Sequence, residues 1–247
     1  MQSWVKMPTR WLREQDGVKL LPGMKWQGDE KSSHIACLMI FIVFAQHARR
    51  FTHEDRADEI NDVDLPYVDG EVNLSYNDLQ EITGLSRKKV SEGIQLLVRY
   101  RLVFRLDEAY VSGARMRYQM PGVSDAFGWG KLPWRRLYSS RKIVAFQDFK
   151  LRKRTELDAL KIYLIIIAFR DTNSNSTRIS FDKITEYTGI HRSYIKAALS
   201  LLILHNLIQV DKHLNDDSDV RNHNVYRVRH VDPYRHAGTD ANAFDDR

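Results

Sequence analysis

The sequence predicts an α+β chain, mainly helical, in which one helix-turn-helix unit followed by a β-hairpin occurs twice. Three observations carry this prediction: a gapless internal repeat, the same helix start and stop signals inside each copy, and strand–turn–strand patterning directly after each. The repeat sets residues 73–103 against 178–208, 105 positions apart. Eight of its 31 positions are identical (Ser75/Ser180, Glu81/Glu186, Thr83/Thr188, Gly84/Gly189, Arg87/Arg192, Leu96/Leu201, Leu97/Leu202 and Leu102/Leu207) and eight more exchange similar apolar residues. Ordinary composition gives about two identities by chance. Two copies are too few for a stacked solenoid, so the pattern reads as a duplicated domain.

In the first copy Ser75 caps a helix, with Asp78 placed as its capping-box partner. Gly84 ends that helix in the left-handed conformation, and Leu85 anchors the turn. Ser86 then caps a second helix whose apolar positions Val90, Ile94, Leu97 and Val98 fall at helical spacing. The second copy repeats this with Ser180, Ile184, Tyr187, Gly189, Ile190, Ile195, Leu199, Leu202 and Ile203. Its capping is weaker, because Lys183 replaces the acid and His191 replaces the serine. Strand-like stretches follow at 102–106 and 115–119, and at 207–211 and 224–229. A hairpin after a helix-turn-helix is the wing of a winged helix, and an apolar helix precedes each pair, at 33–49 and 156–170.

The duplication extends further back. Trp4-Val-Lys6-Met-Pro8-Thr-Arg10-Trp-Leu12 resembles Trp129-Gly-Lys131-Leu-Pro133-Trp-Arg135-Arg-Leu137, so a short extended segment is expected to open each domain and add a strand to its sheet. The predicted organisation is a first winged-helix domain over 1–125, a second over 126–235 with a basic lead-in at 131–154, and a polar, disordered tail over 236–247. The first domain carries an acidic insertion at 51–71 (Glu54, Asp55, Asp58, Glu59, Asp62, Asp64, Asp69). It lacks the glycine and terminal glutamate spacing of an EF-hand, so a solvated loop or protein contact is expected there rather than calcium.

Composition narrows the function. The lone Cys37 excludes a disulfide framework and a cysteine-rich zinc site. No signal-peptide pattern opens the chain, and the apolar run 35–45 is about half a membrane span, which predicts a cytoplasmic protein without membrane contact. The net charge is +6, and the surplus is concentrated: residues 131–170 hold 11 Lys and Arg against 3 Asp and Glu. Such a segment suits a polyanionic partner.

Removing the core positions from the second helix of each pair leaves Arg87, Lys88, Ser91 and Gln95 in one copy, and Arg192, Ser193, Lys196 and Ser200 in the other. Spacings of three and four keep each set on one face. Arginine reads guanine in bidentate fashion, and serine and lysine suit base edges or phosphate. Tyr194, equivalent to Lys89, stands near the helix start and joins the candidates. The wings add Arg115 and Arg117, then Lys212, Arg221 and His223, suited to phosphate or minor-groove contact. The lead-in adds Arg135, Arg136, Arg141, Lys142, Lys150, Arg152, Lys153 and Arg154 as phosphate contacts. Trp129, Trp134 and Tyr138 are expected to pack rather than to stack on bases.

Catalysis finds no support. Residues 23–30 imitate phosphate-loop glycine spacing, but Asp29 stands where the lysine must be. His47-Ala-Arg-Arg50 matches only a fragment of a tyrosine recombinase motif, and the nine histidines are scattered. No enzyme, cofactor, metal or small-molecule substrate is expected. The partner predicted is double-stranded DNA.

In length, duplication and its opening Trp4-x-Lys6-x-Pro8-x-Arg10-x-Leu12, the chain resembles the plasmid replication initiators built from two winged-helix domains. The resemblance implies binding to repeated origin sites, dimers that repress the protein's own gene, and recruitment of host replication proteins. Its recognition helices would be 86–99 and 191–204, reading neighbouring major grooves. The acidic insertion departs from that pattern. A transcriptional regulator, a partition protein on centromere-like repeats, and a winged-helix protein-interaction module are the alternatives left open.

Overall fold

Two helices enclosed on all sides organise the molecule. In the computed structural model, which describes residues 3–13, 19–50, 69–107, 115–171, 174–211 and 225–231, every side chain from Ser33 to Gln46 of one helix is buried, as is every one from Glu156 to Ala168 of the other. The first is apolar along its length and so must be enclosed; the second buries three charged residues as well, each with a partner: Glu156 on the Lys150 amide, Asp158 on Arg154 and Lys161 on the Thr188 carbonyl. These two pack against each other, and the remaining elements wrap them into one continuous core.

Chain order is β1 (Trp4–Pro8), α1 (Arg10–Arg13), α2 (Leu20–Gly23), the enclosed α3 (Lys31–His47), β2 (Glu71–Leu74), α4 (Tyr76–Thr83), α5 (Arg87–Arg99), β3 (Phe104–Arg105) and β4 (Met116–Gln119). Then come β5 (Trp129–Pro133), a 3-10 turn at Arg135–Leu137, the two-residue strands β6 (Tyr138–Ser139) and β7 (Lys142–Ile143), and α6 (Val144–Gln147). The enclosed α7 (Arg154–Ala168), β8 (Ser176–Arg178), α8 (Phe181–Thr188), α9 (Arg192–Leu204), β9 (Ile208–Asp211) and β10 (Val225–Val228) complete it. Each half thus runs enclosed helix, strand, helix, helix, strand, strand. The two three-stranded antiparallel sheets have matching orders, β2-β4-β3 and β8-β10-β9. The first strand of each, β2 and β8, is absent from the sequence prediction.

The helix punctuation is as the sequence prescribes. Ser75 and Asp78 form a full capping box, and Ser180 accepts from the Lys183 amide without a reciprocal acid. Gly84 and Gly189 end α4 and α8 at φ 73° and 68°. Thr83 Oγ1 donates to Leu79 O and accepts from Leu85 N; Thr188 does the same with Ile184 O and Ile190 N. The next turn is duplicated too: Arg101 and Asn206 adopt φ 56° and 55°, and the following amides return to Leu97 O and Leu202 O at 2.9 Å.

One expectation is overturned. The opening strands do not join the sheet of their own half. β1 and β5 pair antiparallel with each other, as a separate two-stranded sheet in which Trp4 faces Pro133, Lys6 faces Lys131 and Pro8 faces Trp129. In each sheet the two strands after the helix pair and the short strand before it already satisfy one another, so the openings take their hydrogen bonds from each other. The segments after them also cross over: α1 and α2 pack on α7 and α8, whereas β7 packs on α4. The division at 125/126 therefore cuts between segments that pack crosswise.

Residues 51–68 of the insertion, 108–114 in the first hairpin, 212–224 with Lys212, Arg221 and His223, and the tail from 232 lie outside the described residues. Among the described residues no helix is long and apolar enough to cross a membrane.

The α3–α5 contact is closest at Gly93, where an added Cβ would stand 2.7 Å from Ile40 Cδ1 and 3.0 Å from the Ala36 carbonyl carbon. Gly93→Val should lower stability by about 1–3 kcal/mol, through overpacking between α3 and α5. Urea denaturation checks this, and an unchanged midpoint would mean the helices separate freely.

Candidate nucleic-acid interface

Both α5 and α9 bury one face on the enclosed helix of their half and leave the N-terminal part of the other face open. The buried set is Val90, Gly93, Ile94, Leu96 and Leu97 in α5, and Ile195, Ala198, Leu199 and Leu202 in α9. Arg87, Lys88 and Gln95 are exposed and Ser91 is half-buried; Arg192, Ser193, Tyr194, Lys196 and Ser200 are exposed. The two sequence-predicted faces are therefore accessible.

The leading arginines are held alike. The Arg87 guanidinium lies 5.2 Å over the Tyr76 ring, with Nη1 3.4 Å from Asn77 Oδ1. Arg192 lies 5.5 Å over Phe181, with Nη1 2.5 Å from Asp182 Oδ1. Tyr76/Phe181 and Asn77/Asp182 are equivalent pairs, so the repeat preserves a shelf that extends the guanidinium beside the turn. Both partners of the Arg192 ion pair are mostly exposed, at 63% and 83% for the side chains. Such a pair contributes little and exchanges readily for a stronger anion.

Position 89/194 behaves differently. Lys89 Nζ bonds Glu92 and, at 3.2 Å, Ser33 Oγ near the start of α3. Burial raises the Glu92 carboxyl, but the bonds from Lys89 and Ser33 outweigh it and hold its pKa down. Tyr194 carries the Arg154 guanidinium 4.0 Å over its ring, at the start of α7, and Arg154 Nε bonds Asp158 at 3.1 Å. In both halves this residue ties the second helix to the start of the enclosed helix. Tyr194 and Arg154, expected at the DNA, are thus first engaged with each other.

Between α5 and the β3–β4 pair lies an open groove of about 710 Å³ lined by Tyr76, Arg87, Lys88, Ser91, Arg105, Met116 and Tyr118. Arg105 is not among the sequence candidates. It belongs to the same cationic wall, and its place on a two-residue strand beside the groove becomes visible only once that strand is paired.

Several predicted cations are tied to carboxylates. Arg117 lies 3.1 Å from Asp107 and 3.8 Å from Glu71. Arg115 donates to Asn73 O at 3.2 Å and lies 3.4 Å from Asp78; Arg141 lies 3.5 Å from both Asp78 and Glu81. Burial raises the Asp78 carboxyl, but the Ser75 bonds and the two guanidiniums outweigh it, so its pKa is lowered. Arg115 and Arg141 thus brace the capped end of α4, while Arg117 ties β4 to Glu71 of β2.

The basic lead-in is not one stripe. Arg135 and Arg136 are exposed at the 3-10 turn, with Arg135 5.3 Å over Trp134. Lys142 is exposed beside Arg141 near α4. Residues 150–154 lie beside α9, folded around one buried carboxylate: Glu156 accepts from the amides of Lys150 (2.7 Å), Arg152 (2.9 Å) and Lys153 (3.1 Å). Lys150 Nζ turns back to Gln147 O at 2.7 Å, leaving the exposed Arg152 and Lys153 beside Ser200 and Leu204 along a cleft. The C-terminal end of α9 is apolar, with Ile203 and Leu204 47% and 77% exposed where α5 has Val98 and Arg99. Trp134 and Tyr138 pack on the core, Tyr138 OH donating to Gln46 Oε1 at 2.7 Å, and the half-buried Trp129 stacks on Trp4 at 6.0 Å between centroids.

His47 and Arg50, the recombinase-like fragment, are structural. His47 Nε2 lies 3.3 Å from Tyr138 OH, and Arg50 Nη2 donates to the Lys6 and Ala45 carbonyls. No protein-family model matches the chain, and no curated protein is significantly similar to it.

Glu156→Ala removes the acceptor of three amides and should destabilise the fold by about 3 kcal/mol, less than three times the roughly 1.5–3 kcal/mol of a hydrogen bond to a charged acceptor because water reaches the exposed turn. Denaturant titration measures the loss, and a change under about 1 kcal/mol would show the 150–154 turn to be held by other contacts.

Proposed function

We propose that this chain is a sequence-specific double-stranded DNA-binding protein built from two winged-helix modules. The observation that carries the reading is the duplicated Arg87/Arg192 arrangement: an arginine at the first position of an exposed second helix, extended over the aromatic of the helix before it. That placement suits bidentate contact with a guanine edge in the major groove. The enclosed helix, the helix pair and the following strand pair supply the scaffold of a winged helix, and Arg105 with Lys88 lines the groove between helix and wing. Arg152 and Lys153 beside α9 suit phosphate, as do Arg135, Arg136 and Lys142 elsewhere on the lead-in. Arg115, Arg117 and Arg141 serve the fold, each paired with a carboxylate.

Replication initiation for a plasmid or other mobile element is the role the family resemblance favours, with host replication proteins as further partners. The experiment for DNA binding is a titration of duplexes by fluorescence anisotropy across salt. Each phosphate neutralised contributes a slope of roughly −0.9 in log K against log salt. A flat slope with weak binding would turn the reading towards a protein-interaction module.

Two variants separate the roles. Arg192→Ala should cost about 1–3 kcal/mol on the preferred duplex and relax selectivity at one base pair. An equal loss on unrelated duplexes would make it a phosphate contact instead. Changing Arg152 and Lys153 together to alanine should weaken all duplexes alike and reduce the salt slope by about 2, one for each cation removed. An unaltered slope would place that turn away from the duplex.

A further inference from the structure

The contacts between the two halves come in reciprocal pairs. Trp4, Lys6 and Pro8 are equivalent to Trp129, Lys131 and Pro133, and exchanging the two sets maps the β1–β5 register onto itself, with Lys6 opposite Lys131 at the centre. Lys6 Nζ sits 4.8 Å over Trp129 and Lys131 Nζ 4.5 Å over Trp4, while the two indoles lie parallel within 3°. The equivalent Glu186 and Glu81 are each met by a cation of the other half's lead-in, Lys19 at 2.6 Å and Arg141 at 3.5 Å, although these two cations are not equivalent positions. Gly189 lies against Pro22, and the equivalent Gly84 against Gln147. The enclosed helices α3 and α7, also equivalent, touch each other.

A contact of i with j accompanied by the contact of j with i is the signature of an isologous, two-fold interface. A head-to-tail arrangement would place different surfaces against each other. The strand pair fixes the axis, since an antiparallel pair with equivalent residues directly opposed has a two-fold between them. The halves are therefore disposed as the protomers of a C2 dimer, within one chain.

We infer that the duplex this chain reads is a quasi-palindrome, with two half-sites inverted about a dyad. The inference rests on the DNA-binding reading above and specifies its target. If both modules dock alike on one duplex, the operation relating them also relates their half-sites. Direct half-sites are related by a shift along the helix axis, whereas a two-fold relates half-sites that run towards each other. The halves of the site are not identical in sequence, because Lys88, Ser91 and Gln95 on one module correspond to Ser193, Lys196 and Ser200 on the other. A direct array of such sites is compatible with this, since the inversion lies inside each one.

The test is selection of duplexes from a randomised pool by the full-length wild-type chain, followed by sequencing. The expected consensus holds two related but unequal half-motifs in inverted orientation, about one helical turn apart. Flipping one half-motif within that consensus should then weaken binding at least tenfold, measured at fixed salt. Half-motifs in direct orientation, or equal affinity for the flipped duplex, would overturn the inference and leave the DNA-binding reading intact. A pool without enrichment would remove both.

Discussion

Everything in this fold is arranged around the burial of two helices that offer water no face. At about 25 cal/mol per Å² of apolar surface, leaving either α3 or α7 half-exposed would cost more than a domain's net stability. Each needs cover on all sides, and one helix pair with a three-stranded sheet covers only part of it. The remainder comes from the other half: α3 lies against α7, and β1 and β5, paired with each other, lie against α3 and α7 in turn. The crosswise lead-in segments follow from the same need. They also set the relative orientation of α5 and α9, so the core determines what geometry of partner the chain can meet.

The parts of this arrangement legible in the sequence are those decided within a few residues. Ser75 with Asp78, Gly84 and Gly189 specify helix ends by local hydrogen bonding and backbone freedom, and the structure keeps all of them. The strands β2 and β8 escape a sequence reading because three or four residues carry no periodicity, and their pairing partners lie more than 40 residues away. The exchange of β1 and β5 escapes it for a similar reason. Their motif marks them as strand-like, but nothing local says which edge they join.

Charge is the least legible property. A sequence count treats Arg117 and Arg152 alike, yet one is paired with Asp107 and Glu71 while the other stands exposed beside α9. Asp78 collects Arg115 and Arg141 from segments 37 and 63 residues away, which removes both from any simple tally of free cations. Conversely Arg105, hidden in a short hydrophobic strand, becomes part of a cationic groove once β3 pairs with β4.

The two copies have diverged in an informative way. Where the residue shapes the backbone, as at Thr83/Thr188 and Gly84/Gly189, identity and geometry are both retained. At position 89/194 the contact is retained but its chemistry is replaced, an ion pair and hydroxyl giving way to an arginine over a phenol ring. At 88/193, 91/196 and 95/200 nothing is retained except exposure of the face. A face under structural constraint would resemble the first or second class. One that differs freely between two copies of the same scaffold, while the arginine leading it is kept, is what the proposed binding to two unlike half-sites requires.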